Sequence, residues 1–443
     1  MRKVKRRSNE RKVEVPLYTQ QISTLTTRDD NYERQPNGDY LTPIFSESPK
    51  PSSTDTHAQN IFFPLEFPAS NFEMNPRYEK STPFIRSVSA DLRNQIIEHA
   101  RTCRREIPRN MFDIGEQIGK GNFGKVFKGA ITGLYHPSSQ TVAAIKGIKS
   151  GQINEVELEY MLSEIKIMNN ISPNLNLVSM IASCTSDFEE TGNIFLLLEF
   201  CQHGDLKNYL NLKCKEIQFG KESDVINSRC LIKWAYDVAN GMKYLEENKI
   251  MHGDLAARNV LMDENILEGG YPVAKVADFG LSKEFNDYLI YEKEVRLHVP
   301  WRWMALEYLQ GRYFTDTSDV WSFGVLFWEI LSLGRIPYGH QGYDEVVSKL
   351  KNGYRLPCPD GLNYILLFSP EKLFQQISNL CFVADPNERG TFSNVVEILK
   401  EQLSQEEISF YDEMIESYKK KRCETYLRMN KSETYLRMKE TNR

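Results

Sequence analysis

The run MHGDLAARNV, residues 251–260, places a carboxylate, Asp254, and an amide, Asn259, five positions apart among mostly apolar residues. A second short run, Asp278-Phe279-Gly280, follows the apolar stretch PVAKVA and begins 24 residues beyond Asp254. An Asp-x-Gly after a strand is commonly a plain turn, so neither run says much alone. Together they supply two oxygen donors, Asn259 and Asp278, and a separate acid, Asp254. Phosphoryl transfer needs such a division: magnesium bridges phosphate oxygens while another carboxylate orients the incoming hydroxyl.

Upstream residues extend the pattern. Gly119 to Val126 read G-x-G-x-x-G-x-V, with glycines at 119, 121 and 124. Glycines there let backbone N–H groups close over phosphates with no Cβ in the way. A glycine-rich hairpin turn would read the same, but a dinucleotide-binding turn is disfavoured because a strand, not a helix, follows Gly124. Lys146 ends the apolar strand VAAIK, where a lysine is ordinarily just exposed. The segment 154–171 has apolar Val156, Tyr160, Met161, Ile165 and Met168 at helical spacing, and Glu164 lies among them. A carboxylate on that face needs a partner, since burying it unpaired is costly. Lys146 is the natural one, held in that way against the α- and β-phosphates.

The wider chain divides by texture. Ten of the 19 prolines fall in residues 1–110, and segments such as SESPKPSSTDTHAQN lack apolar periodicity. This region is expected to be mostly disordered or loosely tethered. Residues 1–12 carry seven Lys/Arg against one Glu, a basic start that fits a solvated disordered end, peripheral contact with an acidic membrane surface, or a nuclear-import patch. Residues 112–200 read as strand-rich and 203–403 as helix-rich, with a hinge near 200–203. Within the latter, 211–229 reads as a polar insert loop, and Leu231, Ala235, Val238, Met242 and Leu245 line one helix face. TSDVWSFGVLFWEILSL is apolar on every side, so it is expected to be a helix buried mid-domain. Residues 404–443 form a tail with ETYLRM at 424–429 and again at 433–438.

Bulk properties exclude some classes. A net charge of −5 gives no whole-chain reason to expect nucleic acid. Eight cysteines with no C-x-x-C pair suggest free thiols in a reducing compartment. No apolar run approaches the roughly 20 residues needed to cross a bilayer, no apolar core follows the basic start, and Arg2 stands where N-myristoylation needs glycine. A cytoplasmic chain, with membrane association through its basic start, is therefore expected.

With those residues in hand, 112–403 is seen to resemble a protein kinase domain. The glycine loop, strand lysine, helix glutamate, H-x-D-L-x-x-x-N and D-F-G occur in the family's order. The resemblance implies an α+β fold of two lobes: a small antiparallel five-stranded sheet with one main helix (112–200), and a larger helical lobe (203–403). It implies ATP and Mg2+ in the cleft between them. Asp254 and Arg258 become the catalytic pair, and Asn259 and Asp278 the metal ligands. Ile118, Gly119, Gly121, Gly124, Val126, Ala144, Lys146, Glu164, Leu198, Glu199 and Cys201 are assigned to nucleotide binding, with backbone groups of Glu199 and Cys201 facing adenine. Asp319 is expected to brace the catalytic loop from below.

Tyrosine rather than serine as acceptor follows from Ala256 and Arg258, which resemble the L-A-A-R-N of tyrosine kinases, where serine/threonine enzymes usually carry a lysine two residues after the acid. The runs IPRNMFDIGEQIGKGNFGKV, LLLEFCQHGDLKNYL and SDVWSFGVLFWEILSLGRIPYG are similar to the cytoplasmic part of PDGF-, VEGF- and FGF-type receptor kinases, here without a membrane span. Three positions depart from the pattern: Gly253 for the arginine of H-R-D, Leu306 for the proline of A-P-E, and Gly390 for the proline after Arg389. None of these groups is expected to touch ATP or the metal, so the change falls on regulation or stability. A pseudokinase scaffold that only presents phosphotyrosines is the competing class.

Tyr288 and Tyr291 in the activation segment are expected phosphorylation sites, with weak dependence of activity on them because Gly253 cannot supply the receiving charge. Tyr426 and Tyr435 each open a Y-x-x-M motif, which once phosphorylated suits Src-homology-2 domains. Tyr40 is a weaker site of that kind.

Overall fold

Residues 112–147 alternate apolar and polar side chains between glycine turns, and they form three consecutive antiparallel strands: β1 (Phe112–Lys120), β2 (Lys125–Thr132) and β3 (Gln140–Gly147). β4 (Met180–Cys184) and β5 (Phe195–Glu199) complete one five-stranded sheet in the order β1-β2-β3-β5-β4. The computed structural model describes residues 88–121, 124–134, 136, 138–148, 154–218, 228–264, 271–284, 300–311, 313–360 and 370–421. Phe112, Ile114, Phe127, Ile131, Ile145, Phe195 and Leu197 make a core on one sheet face. The other face receives α2 (Glu155–Asn170), capped by Asn154, whose side chain accepts the Val156 N–H.

The larger part is helical. α3 (Leu206–Gln218), α4 (Ser228–Glu247), α5 (Leu306–Gly311), α6 (Ser318–Leu331), α7 (Tyr343–Lys351), α8 (Pro370–Cys381) and α9 (Phe392–Lys400) surround two short hairpins. In one, β7 (Val260–Asp263) pairs with β8 (Val273–Val276); in the other, β6 (Ile250–Met251) pairs with β9 (Lys283–Glu284). Leu231, Ala235, Val238, Met242 and Leu245 are all buried on α4, and α6 has apolar side chains buried on every side. Among the described residues, no helix is long and apolar enough to cross a membrane.

Three boundaries differ from the sequence expectation. A helix, α1 (Ala90–Thr102), forms within 1–110. Ser89 caps it, Leu92, Ile96 and His99 are buried at one-turn spacing, and it lies along α2 through Ser89 N to Glu155 Oε1 (2.9 Å) and Lys166 Nζ to Gln95 Oε1 (2.8 Å). Part of the insert loop expected over 211–229 is helical, because α3 runs through Gln218 and α4 starts at Ser228. Alternating Leu206, Tyr209 and Leu210 carry the helical period into that polar stretch, with Leu206 and Leu210 fully buried. The tail, finally, begins with a helix packed on the fold: α10 spans 405–421 and buries Tyr411, Met414 and Tyr418. Tyr40, Tyr288, Tyr291, Tyr426 and Tyr435 lie outside the described residues.

Candidate active site

Strand pairing brings the chain's scattered polar residues together. β2 and β3 pair with Val126 opposite Lys146, which sets the lysine beneath the glycine turn. In that turn Gly121 N donates to Gly124 O (2.9 Å), and a Cβ on Gly124 would lie 2.6 Å from the carbonyl oxygen of Gly147. Glycine is therefore required at 124 by the neighbouring strand itself. Asn122 and Phe123, at the tip, lie outside the described residues. Ile118 and Val126 are half-buried on the strands flanking the turn, and Ala144 pairs with Leu198 across β3 and β5.

Lys146 Nζ lies 2.9 and 2.8 Å from the two carboxylate oxygens of Glu164 and 2.7 Å from Asp278 Oδ1. Both Lys146 and Glu164 are buried. Burial alone would lower the lysine's pKa, but the charges of Asp278 and Glu164 reverse this and hold it above the ordinary value. Burial likewise works to raise the Asp278 pKa, and Lys146 overrides it, keeping that carboxylate ionised and below its ordinary range. Asp278 has φ of +62°, a left-handed backbone that aspartate tolerates better than most residues.

The loop 251–260 is held from several sides. Asp319, at the start of α6, accepts the N–H groups of His252 (2.7 Å) and Gly253 (2.9 Å). His252 Nε2 lies 3.0 Å from Ala277 O, and Phe279 packs against the imidazole at 5.4 Å between ring centroids. Gly253 has φ of +76°, in the left-handed region that favours glycine. Asn259 Nδ2 donates to Asp254 Oδ2 (2.8 Å) and to the Asp254 carbonyl (2.7 Å), while Arg258 Nη2 donates to Asp254 Oδ1. The Arg258 guanidinium also stacks over Trp303 at 4.4 Å. Burial, opposed by Arg258, raises the Asp254 pKa above the ordinary carboxylate value. The Ala277 N–H donates to Asn259 O (2.8 Å), so the β7–β8 hairpin sets Asn259 beside the chain that leads into Asp278.

Two contributors lie outside the motifs read from sequence. Glu329, fully buried on α6, accepts from Ala257 N (2.9 Å) and Trp303 Nε1 (2.8 Å), tying the catalytic loop to the platform under Arg258. Lys275, buried in β8, pairs with Glu199 (2.9 Å) and Asp263 (3.0 Å). The signal for both was the one that singled out Glu164: a charge inside an apolar run needs a partner. At the hinge one expectation narrows. The Glu199 N–H is committed to Ser179 O (3.0 Å), so it is not among the groups available to a nucleotide.

The departures have local explanations. Leu306 occupies the first turn of α5, where proline is favoured but not required. Gly390 packs so closely that a Cβ would lie 2.4 Å from Leu380 Cγ, and its N–H donates to Leu380 O (3.3 Å), a bond proline could not make. Glu307 and Arg389 form a buried bidentate pair, both bonds 2.8 Å.

A family model described as protein tyrosine and serine/threonine kinase matches residues 112–399. The tyrosine kinase receptor Cad96Ca of Drosophila melanogaster is 34% identical over 316 residues, covering 71% of this chain and 38% of that protein. Fibroblast growth factor receptor 1 of Pleurodeles waltl is 35% identical over 306 residues, covering 67% and 35%. The tyrosine protein-kinase src-1 of Caenorhabditis elegans is 36% identical over 290 residues, covering 66% and 48%. The chain thus spans less than half the length of these relatives.

Proposed function

The chain belongs to the protein tyrosine and serine/threonine kinase family, and on that premise we propose that it transfers the γ-phosphoryl group of ATP to tyrosine hydroxyls of proteins, itself included. The observation that carries this reading is the cluster on Asp254: a half-buried carboxylate gripped by Arg258 and Asn259, with Arg258 laid over Trp303. Arg258 and Trp303 offer a flat, cationic floor that suits a phenol, which must reach the acid from farther away than a serine does.

In this mechanism Asp254 accepts the hydrogen bond of the incoming tyrosine hydroxyl and orients its oxygen toward the γ-phosphorus. Its raised pKa keeps it basic enough to take the proton as the P–O bond forms. Arg258 holds one oxygen of Asp254 and balances charge beside the transferred group. Lys146, fixed by Glu164, steadies the α- and β-phosphates, and the glycine turn covers them with backbone N–H groups. The donor set fits magnesium, since Asp278 is ionised and Asn259 commits its Nδ2 to Asp254, which leaves a hard carbonyl oxygen. Magnesium held there would neutralise charge on the phosphate oxygens. Ile118, Val126, Ala144 and Leu198 would enclose the adenine, with Cys201 and the Glu199 carbonyl at its edge.

Regulation is part of the same reading. Tyr288 and Tyr291 are autophosphorylation sites with modest effect on rate, and phosphorylated Tyr426 and Tyr435 recruit Src-homology-2 domains. The protein acts in the cytoplasm, with its basic start against an anionic membrane surface. The test uses the full chain, because α1 and α10 both dock on the kinase fold. Purified protein is given Mg-ATP and two peptides identical except for tyrosine or serine at the acceptor. The reading expects phosphate on the tyrosine peptide alone. Incorporation into neither peptide above an Asp254→Asn control would favour the scaffold, and preference for serine would overturn the acceptor assignment.

A further inference from the structure

Helix α10 runs behind the hinge, and its two buried tyrosines end on polar groups there. The Tyr418 hydroxyl lies 2.7 Å from Ser179 Oγ, and the Tyr411 hydroxyl donates to Asn176 Oδ1 at 2.5 Å. Tyr411 also packs edge-on against Tyr236 of α4, with centroids 5.0 Å apart. Lys275 Nζ sits 5.3 Å from the centroid of the Tyr418 ring.

Ser179 and Lys275 also hold Glu199. The Ser179 carbonyl accepts the Glu199 N–H (3.0 Å), and the Ser179 N–H donates to Glu199 Oε1 (2.7 Å). Glu199 Oε2 takes Lys275 Nζ (2.9 Å). Tyr418 therefore touches both anchors of the hinge residue, Ser179 from the small lobe and Lys275 from the large one. Covering an apolar surface would need only a side chain such as Met414, which is fully buried on the same helix. Hydroxyls aimed at the loop before β4 add direction that apolar packing lacks.

We propose that Tyr418 is a positioning residue for nucleotide binding: with Ser179 and Lys275 it fixes Glu199 and thereby the Glu199–Cys201 backbone that meets the adenine. This rests on the kinase reading. Tail and hinge are in this way one unit, and the tail tunes affinity for ATP without touching it.

The test compares the full chain with Tyr418→Phe, Ser179→Ala and the double variant. Tyr418→Phe keeps the ring over Lys275 and removes only the hydroxyl. Binding of a Mg-bound, non-hydrolysable ATP analogue is measured by calorimetry, alongside KM for ATP, kcat and melting temperature. Each single variant is expected to weaken analogue binding about three-fold or more, the scale of one buried neutral hydrogen bond. KM for ATP should rise by more than kcat falls, and the double variant should bind no more weakly than the worse single. Unchanged analogue affinity with a lowered melting temperature would show a merely structural role and overturn the proposal, as would additive losses in the double variant. A parent protein that fails to bind the analogue would overturn the kinase reading and this proposal with it.

Discussion

At the scale of single residues, the question is whether the H-G-D loop keeps its chemistry. The groups proposed to act on phosphate and hydroxyl, Asp254, Arg258, Asn259, Lys146 and Asp278, are each tied to another of the set by a direct hydrogen bond. Gly253 contributes only its backbone to that network, through Asp319. Because Asp254 must be ionised to accept a proton and burial raises its pKa, kcat/KM should fall as pH drops through a value above the ordinary carboxylate range. A pH–rate profile flat down to pH 4 would contradict this. Gly253 should tolerate a side chain poorly for a reason unrelated to catalysis. At φ of +76°, Gly253→Ala should cost about 1–2 kcal/mol of stability, read as a lower melting temperature with kcat within a factor of a few of the parent.

These motif residues were legible because phosphoryl transfer demands particular groups at particular spacings. Glu164 was legible for a further reason, since a carboxylate on an apolar helix face advertises its own partner. Glu329 makes the same advertisement in SDVWSFGVLFWEIL, but the helix carrying it is apolar all round, so no single face pointed to what it binds. Lys275 sits in the apolar run PVAKVA and carries that signal more weakly, because a lysine in a short strand ordinarily points to solvent; the fold shows β8 buried against Glu199 and Asp263.

At the scale of elements, the strands of the small lobe and the long helices could be read from periodicity, while the flanking helices could not. α1 follows a proline-rich region whose composition dominates any local signal. In α10, Tyr411, Met414 and Tyr418 step by three and four, yet the segment QEEISFYDEMIESYKKK is so charged that its narrow apolar stripe resembles a solvated tail. Burial of those three side chains makes α10 a structural part of the kinase unit. Each large side chain so buried is worth about 1.5–3 kcal/mol. Ending the chain at residue 404 should therefore lower the melting temperature by several degrees and expose Tyr236, measurable by calorimetry and by fluorescence. A truncated protein as stable as the full chain would show that α10 is only loosely attached.

At the scale of the molecule, stability should carry a pH signature from the interior of the large lobe. Asp237 on α4 is fully buried, accepts a hydrogen bond from Ala274 N (3.1 Å), and burial raises its pKa to about 7. The folded protein thus holds this proton where the unfolded chain, with an ordinary aspartate near 4, has lost it. Its contribution to stability is full below about pH 4, declines as pH rises toward 7, and is lost above that. Asp237→Asn should remove this decline, leaving a flatter melting profile between about pH 4 and 7. Unaltered pH dependence in the variant would place the effect elsewhere. Whole-molecule features of this kind depend on which polar groups the fold buries together, and helical spacing alone could not foretell that Asp237 lies under β8.

The most direct test of the central claim is a comparison of rates on a tyrosine peptide between the full chain, first treated with phosphatase, and its Asp254→Asn variant. The account predicts that the treated parent phosphorylates the peptide without prior modification, and that the variant loses about 10²- to 10⁴-fold in kcat while still binding Mg-ATP. A variant as fast as the parent, or a parent no faster than the variant, would show that the H-G-D loop does not carry the reaction.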